Sequence, residues 1–198
     1  DKAKVLLTQC GDTPNNAAFY IFRAKILANA SYEDKWEDYQ RALELEDTQW
    51  KNWDDFMLFY LENAKNTEAV ELGKNAVKKF PNNYNVGFSY AKALLATNNY
   101  NKAIAVLKDL NILPFEHASE SKDVYSDAHI FLAKQLMDKN QFSKAVKLLE
   151  AAKEWPENLG VGAPYNPDER LPNYLLGMCH EKLGIQETAK KYFQEVAE

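Results

Sequence analysis

Residues 90–107 read Tyr-Ala-Lys-Ala-Leu-Leu-Ala-Thr-Asn-Asn-Tyr-Asn-Lys-Ala-Ile-Ala-Val-Leu, and this stretch decides the fold. Ala91 and Leu94 fall at helical spacing before the Asn98-Asn99 pair, and Ala103 and Leu107 fall at helical spacing after it. The pattern predicts two amphipathic helices joined by a short turn. Working outward, an apolar residue followed by a small one, with a second small residue twelve positions on, recurs as Phe56-Met57 with Ala69, Tyr90-Ala91 with Ala103, Leu132-Ala133 with Ala145, and Leu176-Gly177 with Ala189. Only Met57 departs from the small-residue rule. Two antiparallel helices approach closely where small side chains meet, while larger ones a turn away fill the flanking grooves. Each unit is therefore expected to be a helix hairpin, and strand-like alternation is nowhere sustained.

Turns are expected at Ala64–Thr67, Asn98–Tyr100, Asn140–Phe142 and Gly184–Gln186, where Asn or Gly accepts the geometry of a helix end. Pro81, Pro114 and Pro156 follow the second helices of the first three units and stop them. With Trp53, Tyr60, Ala69, Ala76 and Pro81 in the first unit and Leu176, Gly177, Ala189 and Phe193 in the fourth, the pattern resembles the tetratricopeptide repeat. That resemblance implies an all-α, right-handed α-α superhelix of helix hairpins. It also implies a non-catalytic scaffold that binds proteins along the first helices.

The step from Ala69 to Ala103 matches the tetratricopeptide period, whereas the next two steps are longer by about eight to ten residues, which insertions in solenoids accommodate as loops. The expected units are about 50–83, 84–125, 126–169 and 170–198, with insertions near 111–122 and 155–172, in one continuous domain. The second insertion gathers Pro156, Pro164, Pro167 and Pro172. Upstream, residues 1–49 read as an irregular helix pair of the same solenoid, with Tyr20, Ala24, Leu27, Trp36, Tyr39, Ala42 and Leu43 as its buried set. Residues Lys2 to Gln9 read as the tail of an earlier helix closed by Cys10-Gly11, and the natural chain is expected to extend further upstream. Phe19 to Ala24, Arg41 to Leu45 and the Trp155–Gly162 segment together resemble the C-terminal repeats of bacterial proteins carrying the domain of unknown function DUF5107. This resemblance implies a link to carbohydrate handling.

With 198 residues, 46% hydrophobic and 27% charged, the chain can bury one substantial core. Its net charge of −5 disfavours nucleic acid and anionic lipid as partners, and no apolar run is long enough to span a bilayer. The compartment is left open, with the cytoplasm preferred and the periplasm kept. Cys10 and Cys179 stand far apart, and His117, His129 and His180 show no metal-type spacing, so no metal or other cofactor is expected. Gly160-Val161-Gly162 lacks the third glycine and preceding strand of a dinucleotide turn. Acids such as Glu33 and Asp34 complement a helix N-terminus, and no pair is spaced for glycoside chemistry.

Two surfaces remain as candidates. On the proline-stiffened loop, Asn158, Tyr165, Asn166, Asp168 and Arg170 bring together polar and aromatic groups that suit recognition. Trp155, Leu159, Val161 and Tyr165 could alternatively plug the gap that the insertion opens. On the first helices, Asp54, Phe88, Lys92, Ile130, Lys134, Tyr174 and Met178 are expected to line a concave groove. Asp54 and, beside Ile130, Asp127 argue against a clamp for a C-terminal carboxylate. The expected partner is a protein, either an upstream domain or another subunit, with association of like copies kept open. The alternative is an accessory domain whose loops complete a carbohydrate site on a neighbouring domain.

Overall fold

The computed structural model describes residues 2, 5, 14–27, 30–114 and 119–197. Among them run ten α-helices and no strand: α1 (Ala17–Ile26), α2 (Tyr32–Leu45), α3 (Trp50–Glu62), α4 (Asn66–Lys79), α5 (Tyr84–Ala96), α6 (Tyr100–Asp109), α7 (Glu120–Asp138), α8 (Phe142–Lys153), α9 (Arg170–Lys182) and α10 (Gln186–Ala197). Cys10, His117 and, apart from Lys2 and Val5, the upstream tail lie outside the described residues. The chain divides within α5 into two compact units, residues 1–93 and 94–198.

Four turns repeat one device. Ala64, Asn98, Asn140 and Gly184 all take positive φ, between 55° and 77°. The amide of the residue after each donates back to the helix, Lys65 to Tyr60, Asn99 to Leu94, Gln141 to Leu136 and Ile185 to His180, at 2.8 to 2.9 Å. Each left-handed residue itself donates to the carbonyl three positions back. This pair of bonds is the Schellman closure, which satisfies carbonyls that a helix end otherwise leaves open.

In the first unit, α1 packs on α2 and α3 on α4 around an aromatic core of Tyr20, Tyr39, Phe56 and Phe59. Tyr39 stacks on Phe56 at 5.5 Å and Phe56 on Tyr60 at 4.4 Å. Ser31 and Asp34 form a reciprocal capping box that starts α2. Two buried carboxylates fasten α1 to its neighbours. Arg23 forks onto Asp38 of α2, and Lys25 reaches Asp55 of α3 at 2.6 Å.

Helix contacts obey a reciprocal size rule. Met57 is fully buried where the other hairpins carry Ala91, Ala133 and Gly177. Across from it α4 carries Gly73, where an added Cβ would meet Met57 Sδ at 2.9 Å and the Tyr90 ring at 2.5 Å. The positions matching Gly73 hold Leu107, Leu149 and Phe193. In the last hairpin the sizes reverse, and the Phe193 ring fills the space beside Gly177. Large meets small at Met57 with Gly73 and at Gly177 with Phe193, and Ala133 and Leu149 share one cluster, so the close approach of the helices survives the exchange.

In the second unit, α7 packs on α8, α8 on α9 and α9 on α10. Ala133, Ala145, Leu149, Leu176 and Cys179 form a shared buried cluster. The first insertion is shorter than the spacing suggested, because α7 begins at Glu120. Its first turn carries Glu120 and Asp123, whose charge favours a helix N-terminus. Asn158 tethers the second insertion, since its amide donates to the carbonyls of Leu107 (3.0 Å) and Leu110 (2.8 Å) at the end of α6, and its own carbonyl accepts from the Ile112 amide at 2.8 Å. Gly160 follows at φ 70°, where a Cβ would lie 2.6 Å from the Ile112 oxygen. Leu159 is fully buried, as a plug of the insertion requires, whereas Tyr165 is 99% exposed and plugs nothing.

Candidate functional site

A cleft of about 730 Å³ opens in the second unit between α7, the C-terminal end of α8 and the second insertion. Lys122, Asp123, Ser126, Asp127 and Ile130 share one face of α7, as their three- and four-residue spacing requires. Ala152, Lys153 and Trp155 form the side wall, and the stretch from Pro164 to Pro172 forms the rim.

The cations of the cleft are engaged internally. Lys122 is 7% exposed; its ammonium donates to Ser126 Oγ at 2.5 Å and to the Ala152 carbonyl at 2.6 Å, and lies 4.9 Å from the Trp155 ring centre. Burial pushes the Lys122 ammonium down from its ordinary value, against the pull of Asp123, Glu169 and Glu154. Ser126 also donates to the Ala152 carbonyl, at 2.8 Å. That carbonyl belongs to the last turn of α8, which has no intrahelical partner and carries partial negative charge. The Lys122–Ser126 pair therefore caps a helix, and the serine proton is committed to that cap rather than to a neighbouring base. Lys153 holds Glu169 and Asn173, each at 2.9 Å. Arg170 grips Asp168 with two bonds of 2.8 and 2.6 Å, which hold the exposed Asp168 carboxyl down at about 2.

The carboxylates of α7 are not so engaged. Among the described residues the carboxylates of Asp123 and Asp127, one turn apart, take part in no hydrogen bond and no ion pair, although the Asp123 charge acts on Lys122. Partial burial, with the nearby Asp123 charge, raises the Asp127 carboxyl above its ordinary range.

Of the loop residues singled out in the sequence, Asp168 and Arg170 line this cleft, Asn158 holds the insertion to α6, and Tyr165 and Asn166 point to solvent. Of the groove residues, Asp54, Phe88 and Lys92 meet in the first unit. Ser89 Oγ donates to Asp54 at 2.6 Å, and the Lys92 ammonium lies 5.6 Å from the Phe88 ring centre. In the second unit Ile130 is buried and borders the cleft, Lys134 is exposed, Tyr174 leans on Phe193 at 6.0 Å, and Met178 packs against the buried cluster. Sequence reasoning missed Lys122, Asp123, Ser126 and Lys153. The interleaved four-residue spacing of Lys122 with Ser126 and Asp123 with Asp127 was the available signal.

Reactive groups elsewhere are quiet. Burial pushes the Cys179 thiol up to about 11. His129 is buried, and its Nδ1–H donates to the Tyr125 carbonyl at 2.8 Å. Among the described residues no cluster of His, Cys, Asp or Glu could hold a metal, and no helix is long and apolar enough to cross a membrane.

Residues 60–112 match the family model of the tetratricopeptide repeat. A MamA RS-1 double mutant superimposes with a TM-score of 0.62 at 17% identity, over 94% of this chain and 95% of that one. The fold is of the tetratricopeptide type. MamA from Desulfovibrio magneticus RS-1 gives 0.59 at 16% identity, over 94% of this chain and 96% of its own. YrrB, described as a tetratricopeptide protein with an unusual peptide-binding site, gives 0.59 at 15% identity, over 98% of this chain and 89% of its own. No curated protein matches the chain in sequence.

Proposed function

We propose that this tetratricopeptide chain is a non-catalytic protein-interaction scaffold and that it takes an extended partner segment in the cleft beside α7. The observation that supports the reading most is the rim of the cleft. Pro164, Pro167 and Pro172 stiffen it, and it offers Leu171, which is 55% exposed, beside Ile130 and Trp155. A stiff rim loses little conformational freedom when a segment docks. The description of YrrB as binding a peptide fits the same reading.

The test is selection of a random peptide display library on the folded chain, with recovered peptides rebound to Leu171→Glu. Binding lost in this variant supports the cleft. Peptides that bind Leu171→Glu undiminished, or no recovered peptide at all, refute it.

A second reading is favoured by Tyr165, since an aromatic ring left 99% exposed beside Asn166 suits contact with a neighbouring domain or a sugar face. The carbohydrate link implied by the DUF5107 resemblance belongs to this reading. It fails if Tyr165→Ala in the natural full-length chain changes neither domain association nor sugar affinity.

A further inference from the structure

We infer that the segment recognised by the cleft is basic: an extended peptide with an arginine or lysine next to an aromatic or aliphatic side chain. The inference rests on the peptide-binding reading above and adds the chemistry of the occupant.

Four carboxylates (Asp123, Asp127, Asp168, Glu169) and three cations (Lys122, Lys153, Arg170) line the cleft. Lys153 is matched by Glu169 and Arg170 by Asp168, while Lys122 is spent on Ser126 and the end of α8. An anionic occupant would compete with these partners for the cations, and drawing off Lys153 or Lys122 would strand a part-buried charge. Asp123 and Asp127 have no such prior commitment. Residues four apart on a helix stand about 5 to 6 Å from each other at Cβ, which is within the span that a guanidinium can bridge. Two like charges so placed repel each other, and a cation entering between them relieves that repulsion.

Size and polarity agree with this occupant. Ile130, Trp155 and Leu171 give the cleft an apolar side on which the methylene stem of arginine or lysine, or an adjoining apolar side chain, can lie. A second copy of this chain, at net charge −5, matches the carboxylates less well than a basic partner segment does.

The test uses the whole chain and the same random twelve-residue display library. Recovered sequences should be enriched in arginine or lysine adjacent to an apolar residue. Their affinity should fall about tenfold in Asp123→Asn/Asp127→Asn, as expected for loss of a charge-assisted contact, and should weaken with added salt. Because Asp123 also supports the first turn of α7, Asp127→Asn alone serves as the control: it leaves that turn intact, should melt as the parent does, and should still lose part of the affinity. Neutral or acidic peptides that depend on Leu171 would overturn the basic preference while leaving the peptide-binding reading intact. Basic peptides that bind the double variant with unchanged affinity would also overturn it. Recovery of no peptide, or of peptides indifferent to Leu171→Glu, would overturn both.

Discussion

Exchanging the sizes at Met57 and Gly73 should cost less than the sum of its two halves. Met57 is fully buried, so Met57→Ala deletes its thioether arm from a closed interior and should destabilise by about 3 kcal/mol. Gly73→Leu alone drives a side chain into Met57 Sδ and the Tyr90 ring, which an added Cβ would already approach to 2.9 and 2.5 Å. Overpacking of that kind costs about 1 to 3 kcal/mol, offset by about 0.8 kcal/mol from replacing glycine inside a helix. Together the two changes install the Ala–Leu pairing that the chain already carries at Ala133 with Leu149. Removing Met57 clears its sulfur but not the Tyr90 ring, so the double variant should lie about 1 to 3 kcal/mol below the parent, with a favourable coupling of about 2 kcal/mol. Urea unfolding followed by far-ultraviolet circular dichroism, applied to all four members of the cycle, measures this. Effects that add to within about 0.5 kcal/mol would show that the positions do not share one space, and the size rule would fall.

Ala64→Gly should stabilise by about 0.5 to 1 kcal/mol, because the left-handed backbone at φ 55° strains alanine and not glycine; a lowered urea midpoint would contradict this. Asn158→Ala should destabilise by about 2 kcal/mol by stranding the carbonyls of Leu107 and Leu110, and hydrogen exchange at the Ile112 amide should accelerate. Burial lowers the titration of His129, so the unfolded chain binds a proton there more readily than the folded one. Stability should be at its full value above about pH 6.5 and fall as the pH drops through the folded value, and His129→Gln should flatten that fall. Asp54 and Asp127, raised by burial, act with opposite sign in the carboxylate range, so the histidine effect is to be read above about pH 5.5. Tyr165→Ala should leave the melting temperature unchanged.

The hairpins were legible in the sequence because their determinants are local. Small residues twelve apart and a turn residue at a constant offset are both forced by the geometry of two close helices, and the turns at Asn98, Asn140 and Gly184 were readable for that reason. Met57 could be noted as a departure but not explained, since Gly73 compensates from the facing helix and only packing reveals the exchange. The start of α7 was hidden in a stretch read as an insertion, although Glu120 and Asp123 mark a helix beginning. Asn158 looked like a recognition group on composition. Its partners are carbonyls about fifty residues away in the chain, a relation that spacing does not encode. The cleft escaped for the same reason, since its walls come from α7, α8 and a loop that meet only on folding.

The repeated left-handed closure has a consequence for how such a chain can grow. A sealed corner fixes both helices of a hairpin in a few residues and leaves no slack, so length is added where one hairpin hands over to the next. Both insertions sit at such hand-overs, and the longer one frames the cleft beside α7. An engineer seeking a new specificity would leave the four corners alone and rewrite the hand-overs.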